Sequence, residues 1–181
     1  MKKIVLVALL ATGLMAASNE NYFGLSVGNA KMSGSSSASG VINDWSTDGA
    51  QLTGTLGHYY GDSGRISAAY TYINHDAGVN KSDALSVAYD FILPLAENKF
   101  SLYAGPIVGY TRYEEADLDL SGYHYGAQAG AIVKIMDTIE LEAGYRFLIE
   151  TGSQKMIVLS APVSVDADNV KMWYVGANLR F

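Results

Sequence analysis

Apolar and polar residues alternate one for one through most of this chain, and the alternation is clearest from Lys171 to Phe181 (KMWYVGANLRF). Counting back from Phe181, every second residue is Leu179, Ala177, Val175 and Trp173. The residues between them are Arg180, Asn178, Gly176, Tyr174 and Met172. Successive side chains of a strand point to opposite faces, so this is a strand with one apolar face and one polar or small face. A strand in that position needs a closed neighbour to cover its free edge.

The same period predicts seven earlier strands. They run Asn21 to Asn29, Ala50 to Tyr60, Arg65 to Asn74, Ser82 to about Leu93, Lys99 to about Arg112, Gly122 to Ile135 and Ile139 to Phe147. Between them lie long connections at Lys31 to about Gly49, Tyr113 to about Ser121 and Leu148 to about Asn169, and a modest one at His75 to Lys81. Short turns fall at Gly61-Asp62-Ser63-Gly64, Pro94 to Asn98 and Met136-Asp137-Thr138. Long and short connections therefore alternate, as in an up-and-down barrel whose loops differ between its two ends. Pro106 falls within strand five and predicts a bulge or a lost ladder bond. The apolar stretch Met156 to Val165 (MIVLSAPVSV) is read as a hairpin continuing strands seven and eight. If Ile135 faces Ile139 across its turn, Lys134 faces Glu140 as an inward ion pair.

The two faces differ in charge in an unusual sense. One face is almost purely apolar, while the other carries Asp90, Lys134, Glu140, Glu142, Arg146 and Arg180. A soluble barrel of lipocalin type would put its apolar face inward, and charges this numerous argue against it. A sheet in hydrocarbon must satisfy every backbone polar group by closing on itself, with apolar side chains outward and polar ones inward. Eight strands enclose an interior that side chains fill. The six charges are therefore expected to form one balanced network that plugs the barrel, since buried charges persist only when paired.

Composition narrows this further. Residues 1–18 have the form of a cleaved secretory signal: Lys2 and Lys3, an apolar core from Ile4 to Met15, then Ala16-Ala17-Ser18. Its removal leaves 19–181 as one barrel domain with 10 basic and 18 acidic residues, a net charge of −8. Nucleic acid is not an expected partner of so acidic a chain. There is no cysteine, which excludes disulfides, thiol chemistry and a lipid anchor on cysteine. No later stretch offers the roughly 20 apolar residues of a membrane helix.

Segments such as Tyr103-Ala104-Gly105-Pro106 and Ala143-Gly144-Tyr145-Arg146-Phe147, with the aromatic ending at Phe181, resemble the eight-stranded outer-membrane β-barrels of the OmpX/Ail, opacity-protein and OmpA transmembrane-domain type. The resemblance implies an all-β, antiparallel up-and-down barrel in the cell outer membrane. It also implies contact with outer-membrane lipids and lipopolysaccharide, and recognition of Trp173, Val175, Ala177, Leu179 and Phe181 by the barrel-assembly machinery. The expected protein is a monomer without cofactor or catalytic activity, holding loops for adhesion, surface contact or envelope integrity. The peptidoglycan-binding domain of full OmpA-type proteins is not expected.

Two alternatives are a lipid-modifying enzyme and a narrow channel. The lipid A deacylases would show a His and a Ser two residues apart on one strand face, and none of His58, His75 or His124 has that neighbour. His75-Asp76 is a faint echo of the loop residues of palmitoyl-transferase barrels. Glu114, Glu115, Asp117 and Asp119 form an acidic cluster without the spacing of a calcium loop. Lys31, Lys81 and Lys155 read as too scattered for a polyanion site.

Overall fold

A computed structural model describes residues 20–38, 41–75, 81–96, 99–114, 121–158 and 161–181. The expected signal segment lies outside these residues. So do Asp76, Glu115, Asp117 and Asp119.

Among the described residues there are nine strands: β1 (Asn21–Ala38), β2 (Val41–Tyr60), β3 (Gly64–His75), β4 (Lys81–Leu95), β5 (Phe100–Glu114), β6 (Gly122–Met136), β7 (Ile139–Glu150), β8 (Ser153–Val158) and β9 (Ala161–Arg180). Eight of them form a closed ring in the order β1-β2-β3-β4-β5-β6-β7-β9, and β9 pairs back onto β1. Every pairing is antiparallel. At the lower end the ring is tied by two backbone bonds exchanged between Asn21 and Phe181. The expected all-β, eight-stranded up-and-down barrel is the observed fold.

The alternation sorts side chains as expected. Phe23, Leu25, Val27, Leu52, Leu85, Val87, Leu102, Val108, Leu141, Val175 and Leu179 stand exposed on the outside. Thr53, Arg65, Asp90, His124, Gln128, Glu140 and Arg146 are buried inside. Such an inversion is stable only where the outer face meets hydrocarbon.

The first departure is the Ser/Gly-rich segment expected as a loop. β1 and β2 stay paired in unbroken register from Asn21↔His58 up to Ala38↔Val41. Composition suggested a loop here because serine and glycine are weak strand formers. Burial explains the strand instead: Trp45 lies on Gly34, where a Cβ would collide with the indole. Trp45 also packs against the upper core of Ala30, Met32, Ile73, Ala88, Ile107, Leu148, Ala167, Val170 and Met172.

The apolar stretch at Met156 to Val165 does form a hairpin, made by β8 and the start of β9, with Val158 opposite Ala161. β8 stands outside the ring, and the order β2-β1-β9-β8 makes a four-stranded sheet rising beyond the barrel wall. A bulge between Ser33 and Gly34 lets β9 bend there.

Pro106 causes no register shift. The β4–β5 ladder runs through Ala88↔Ile107 and Phe91↔Ala104 but lacks the two pairs between them. Proline has no N–H to give the Tyr89 carbonyl, so of the two expected outcomes the lost bond is the one realised. At the sixth turn the expected facing of Ile135 and Ile139 is corrected. A bulge leaves Ile135 extra, and Met136 faces Ile139.

Candidate functional site

Strand parity turns polar side chains from strands all round the ring into the barrel, and they meet in three tiers. The middle tier is centred on Arg65, which is 2% exposed. Its Nε donates to Asp90 Oδ2 at 2.7 Å, and its two terminal nitrogens donate to Glu142 at 2.8 and 3.0 Å. This is the two-pronged geometry that a guanidinium makes with a carboxylate. The guanidinium carbon also lies 4.4 Å from the Tyr103 ring centroid and 5.5 Å from that of Tyr22.

Each carboxylate is then completed by neutral donors. Glu142 accepts from the Tyr103 hydroxyl (2.8 Å), Asn178 Nδ2 (2.8 Å) and the Tyr174 hydroxyl (3.2 Å). Asp90 accepts from Gln128 Nε2 at 2.8 and 3.0 Å, and Gln128 Oε1 accepts from Arg146 Nε at 2.9 Å. Arg146 in turn lies over Tyr174 at 4.5 Å. The inward glycines leave space that tyrosines from other strands fill. A Cβ on Gly57 would strike the Tyr22 ring, and one on Gly144 would strike the hydroxyls of Tyr103 and Tyr174. The gap beside this tier, lined by Arg65, Glu142 and Arg146, has room for about one water.

At the lower mouth Glu140 accepts from the Tyr59 hydroxyl at 2.7 Å and Arg180 Nη1 at 3.1 Å. These line an open cavity of about 100 Å³ with Lys134 and Asp62. Lys134 stands opposite Glu140 in the register. The expected ion pair between them is corrected, however, because the Lys134 ammonium pairs with Asp137 at 3.3 Å. The bulge beside Lys134 and the two donors already on Glu140 account for this.

Of the six expected charges, then, Asp90, Glu142 and Arg146 share the middle tier, Glu140 and Arg180 form the lower one, and Lys134 stays at the rim. Arg65 was missed. Its parity with inward Ser67 was the available signal, obscured because Arg65 adjoins the Gly61 to Gly64 turn.

The upper tier is centred on His124, which is 1% exposed. Its Nε2 lies 2.9 Å from Ser86 Oγ, its Nδ1 lies 2.9 Å from Thr111 Oγ1, and Thr111 donates to Glu150 Oε1 at 3.0 Å. No local spacing reveals this chain, because Ser86 arrives from β4, Thr111 from β5 and Glu150 from β7. It lists the atom types of a serine hydrolase, but a threonine separates the imidazole from the carboxylate. All four residues are buried, and the space beside them also holds about one water. These bonds tie β4, β5, β6 and β7 to one another along the inner wall. His75 bonds Ser82 at 3.0 Å and stacks on Tyr113, with ring centroids 6.1 Å apart.

On the outer surface Trp173, Val175, Ala177, Leu179 and Phe181 all point outward and are exposed on β9 and at its end. Among the described residues no group of three His, Asp or Glu side chains converges as a metal site.

No family model matches the sequence, and no curated protein does. Solved structures do match. The neisserial surface protein NspA is similar at 16% identity with a TM-score of 0.64, over 91% of this chain and 98% of that one. OprG from Pseudomonas aeruginosa is similar at 13% identity with a TM-score of 0.63, over 90% and 96%. OprH from P. aeruginosa, solved in DHPC micelles, is similar at 23% identity with a TM-score of 0.54, over 90% and 99%. Matched over 90–91% of its length by such structures, and carrying its apolar residues outside and its charges inside, the chain has the fold of the eight-stranded outer-membrane β-barrels.

Proposed function

We propose that this protein is a non-catalytic barrel of the outer membrane, a monomeric scaffold that presents its long connections at the cell surface for adhesion, surface contact or envelope integrity. The observation that carries this reading is the middle tier. Arg65, Asp90, Glu142, Gln128 and Arg146 satisfy one another across the lumen, which supports an interior that plugs the barrel over one that conducts ions or holds a substrate. What remains for function is the exterior: the raised sheet β2-β1-β9-β8 and the connections at the same end. The five outward residues from Trp173 to Phe181 would be read by the assembly machinery during insertion.

The test compares heated and unheated outer-membrane fractions on a detergent gel, then adds deletions in the raised hairpin of β1 and β2. The expected result is a heat-dependent mobility shift, retained in the deletions, with loss of surface attachment. A soluble protein of unchanged mobility refutes the reading.

The Ser86–His124–Thr111–Glu150 chain favours one other reading, a lipid-modifying enzyme. His124→Ala that leaves lipid A and phospholipid mass spectra unchanged excludes it. Planar-bilayer recordings without reproducible conductance exclude a narrow channel.

A further inference from the structure

Two lysines far apart in the chain, Lys31 and Lys171, stand directly opposite each other on β1 and β9. Both point outward and are exposed. Like charges directly opposite on one sheet face repel. Among the described residues no ion pair joins either lysine to an acid. Asp48 faces Lys31 from β2, and Asp168 lies at the β9 bulge, so the surface is not without acids. Neither acid comes within ion-pair distance of a lysine, and the cross-strand row Asp48–Lys31–Lys171 keeps a net charge of +1. The sequence placed Lys31 among scattered loop lysines; the closure of β1 on β9 supplies its neighbour.

Their height matters as much as their pairing. From Asn21, bonded to Phe181 at the lower end, to Lys31 the strand rises about 25 Å at roughly 3.3 Å per residue and a tilt of about 40°. That is the height of the apolar band of such barrels. Below the pair the outward residues are Val27, Leu25 and Phe23 on β1 and Trp173, Val175, Ala177 and Leu179 on β9. Trp173 and Tyr145 form a cross-strand pair one step below, and Phe147 sits level with Lys171. Exposed aromatics at this level mark the boundary between hydrocarbon and headgroups. Beyond the pair the same face turns to Ser33, Ser35, Asp44, Ser46 and Asp166.

We infer that Lys31 and Lys171 form a two-pronged site for the phosphate of an outer-leaflet lipid headgroup, with Trp173 and Phe147 against the upper part of its acyl chains. The inference rests on the membrane-barrel reading. A phosphate offers several acceptor oxygens to two ammonium groups, each with three donors, and converts their mutual repulsion into shared attraction. A phosphate held at the rim of an apolar band comes from a lipid rather than from solution.

The test uses quenching of Trp173 in a Trp45→Phe background, refolded into phosphatidylcholine vesicles containing a small fraction of brominated lipid. Brominated phosphatidate is expected to quench Trp173 more strongly than brominated phosphatidylcholine. The preference should fall about fivefold for each of Lys31→Gln and Lys171→Gln, the factor that ~1 kcal/mol per surface cation gives. Lys81→Gln, an exposed lysine on β4, should leave it unchanged.

Equal preference in the parent and the double variant overturns the inference. So does a preference erased by inorganic phosphate at constant ionic strength, which would assign the site to free anion. If neither brominated lipid quenches the parent, the membrane reading fails and the inference with it.

Should Trp45→Phe not fold, unfolding in zwitterionic micelles with and without lysophosphatidate serves instead. Lysophosphatidate should stabilise the parent more than the double variant, which without it should be at least as stable as the parent. An equal gain in both overturns the inference.

Discussion

Replacing Arg65 by methionine puts the account of the interior at risk. The guanidinium faces two carboxylates, Asp90 and Glu142, that are 0% and 9% exposed. Methionine fills much of the volume of the arginine stem but leaves both carboxylates without their cation. Neither has another cation within ion-pair distance among the described residues. Removing one partner from a buried pair costs about 3–5 kcal/mol. The lost contacts with the Tyr103 and Tyr22 rings add to this by about 0.5–2 kcal/mol. The unfolding equilibrium should therefore move by between about three-hundredfold and a hundred-thousandfold, as ~1.4 kcal/mol is a tenfold change.

The assay is urea unfolding in phosphatidylcholine vesicles, followed by tryptophan fluorescence and by the heat-dependent mobility shift. Glu142→Gln alone should cost less, because an amide still accepts from the Tyr103 hydroxyl. Combining the two substitutions should cost less than their sum by about 1–3 kcal/mol, the coupling expected of groups in direct contact. A loss below ~1 kcal/mol for Arg65→Met, or strict additivity with Glu142→Gln, would refute the claim that this tier holds the barrel closed.

Other substitutions probe separate parts of the wall. Gly144→Val forces a branched side chain onto the paired hydroxyls of Tyr103 and Tyr174, and should cost about 1–3 kcal/mol in the same unfolding assay. Pro106→Val supplies the N–H missing opposite Tyr89 and should stabilise by about 1 kcal/mol; a destabilised variant would show that the gap in the ladder serves a bend. His124→Leu removes the partner of the Ser86 hydroxyl and one of the two partners of the Thr111 hydroxyl, whose bond to Glu150 remains. It should lose about 1–3 kcal/mol, measured as an earlier urea midpoint at unchanged gel mobility.

The strands were legible because their signal is local. A period of two over eight to ten residues places Leu141 outward and Glu142 inward without knowledge of any neighbour. Partners were not legible in this way. Glu142 was recognised as inward, but its cation comes from β3, on the far side of the ring, and only closure brings the two together. Lys134 failed for the opposite reason: the register placed it correctly across from Glu140, and a one-residue bulge at Ile135 then turned the ion pair toward Asp137. The upper hairpin was hidden by composition. Serine and glycine between Met32 and Gly40 read as loop until Trp45 is seen lying on Gly34, a contact set by a cross-strand pairing that no window along the chain contains.

The distribution of satisfied and unsatisfied charge then locates where this molecule can interact. Inside, nearly every charged atom of Arg65, Asp90, Glu140 and Glu142 has a partner within the barrel wall, so binding there would have to displace bonds already made. Desolvation is already complete at those positions, and a ligand would regain little. Outside, the situation is reversed at a single level. The outward face is uncharged from Phe23 through Asn29 on β1 and from Leu179 through Trp173 on β9, and then presents Lys31 beside Lys171. A repulsive pair kept at the rim of an apolar band, with Asp48 beside Lys31 alone, gains further when something anionic lies between its members. The barrel thus holds its own charges closed in the lumen and leaves its open electrostatic valence at the surface, where lipid headgroups and the base of the raised sheet meet.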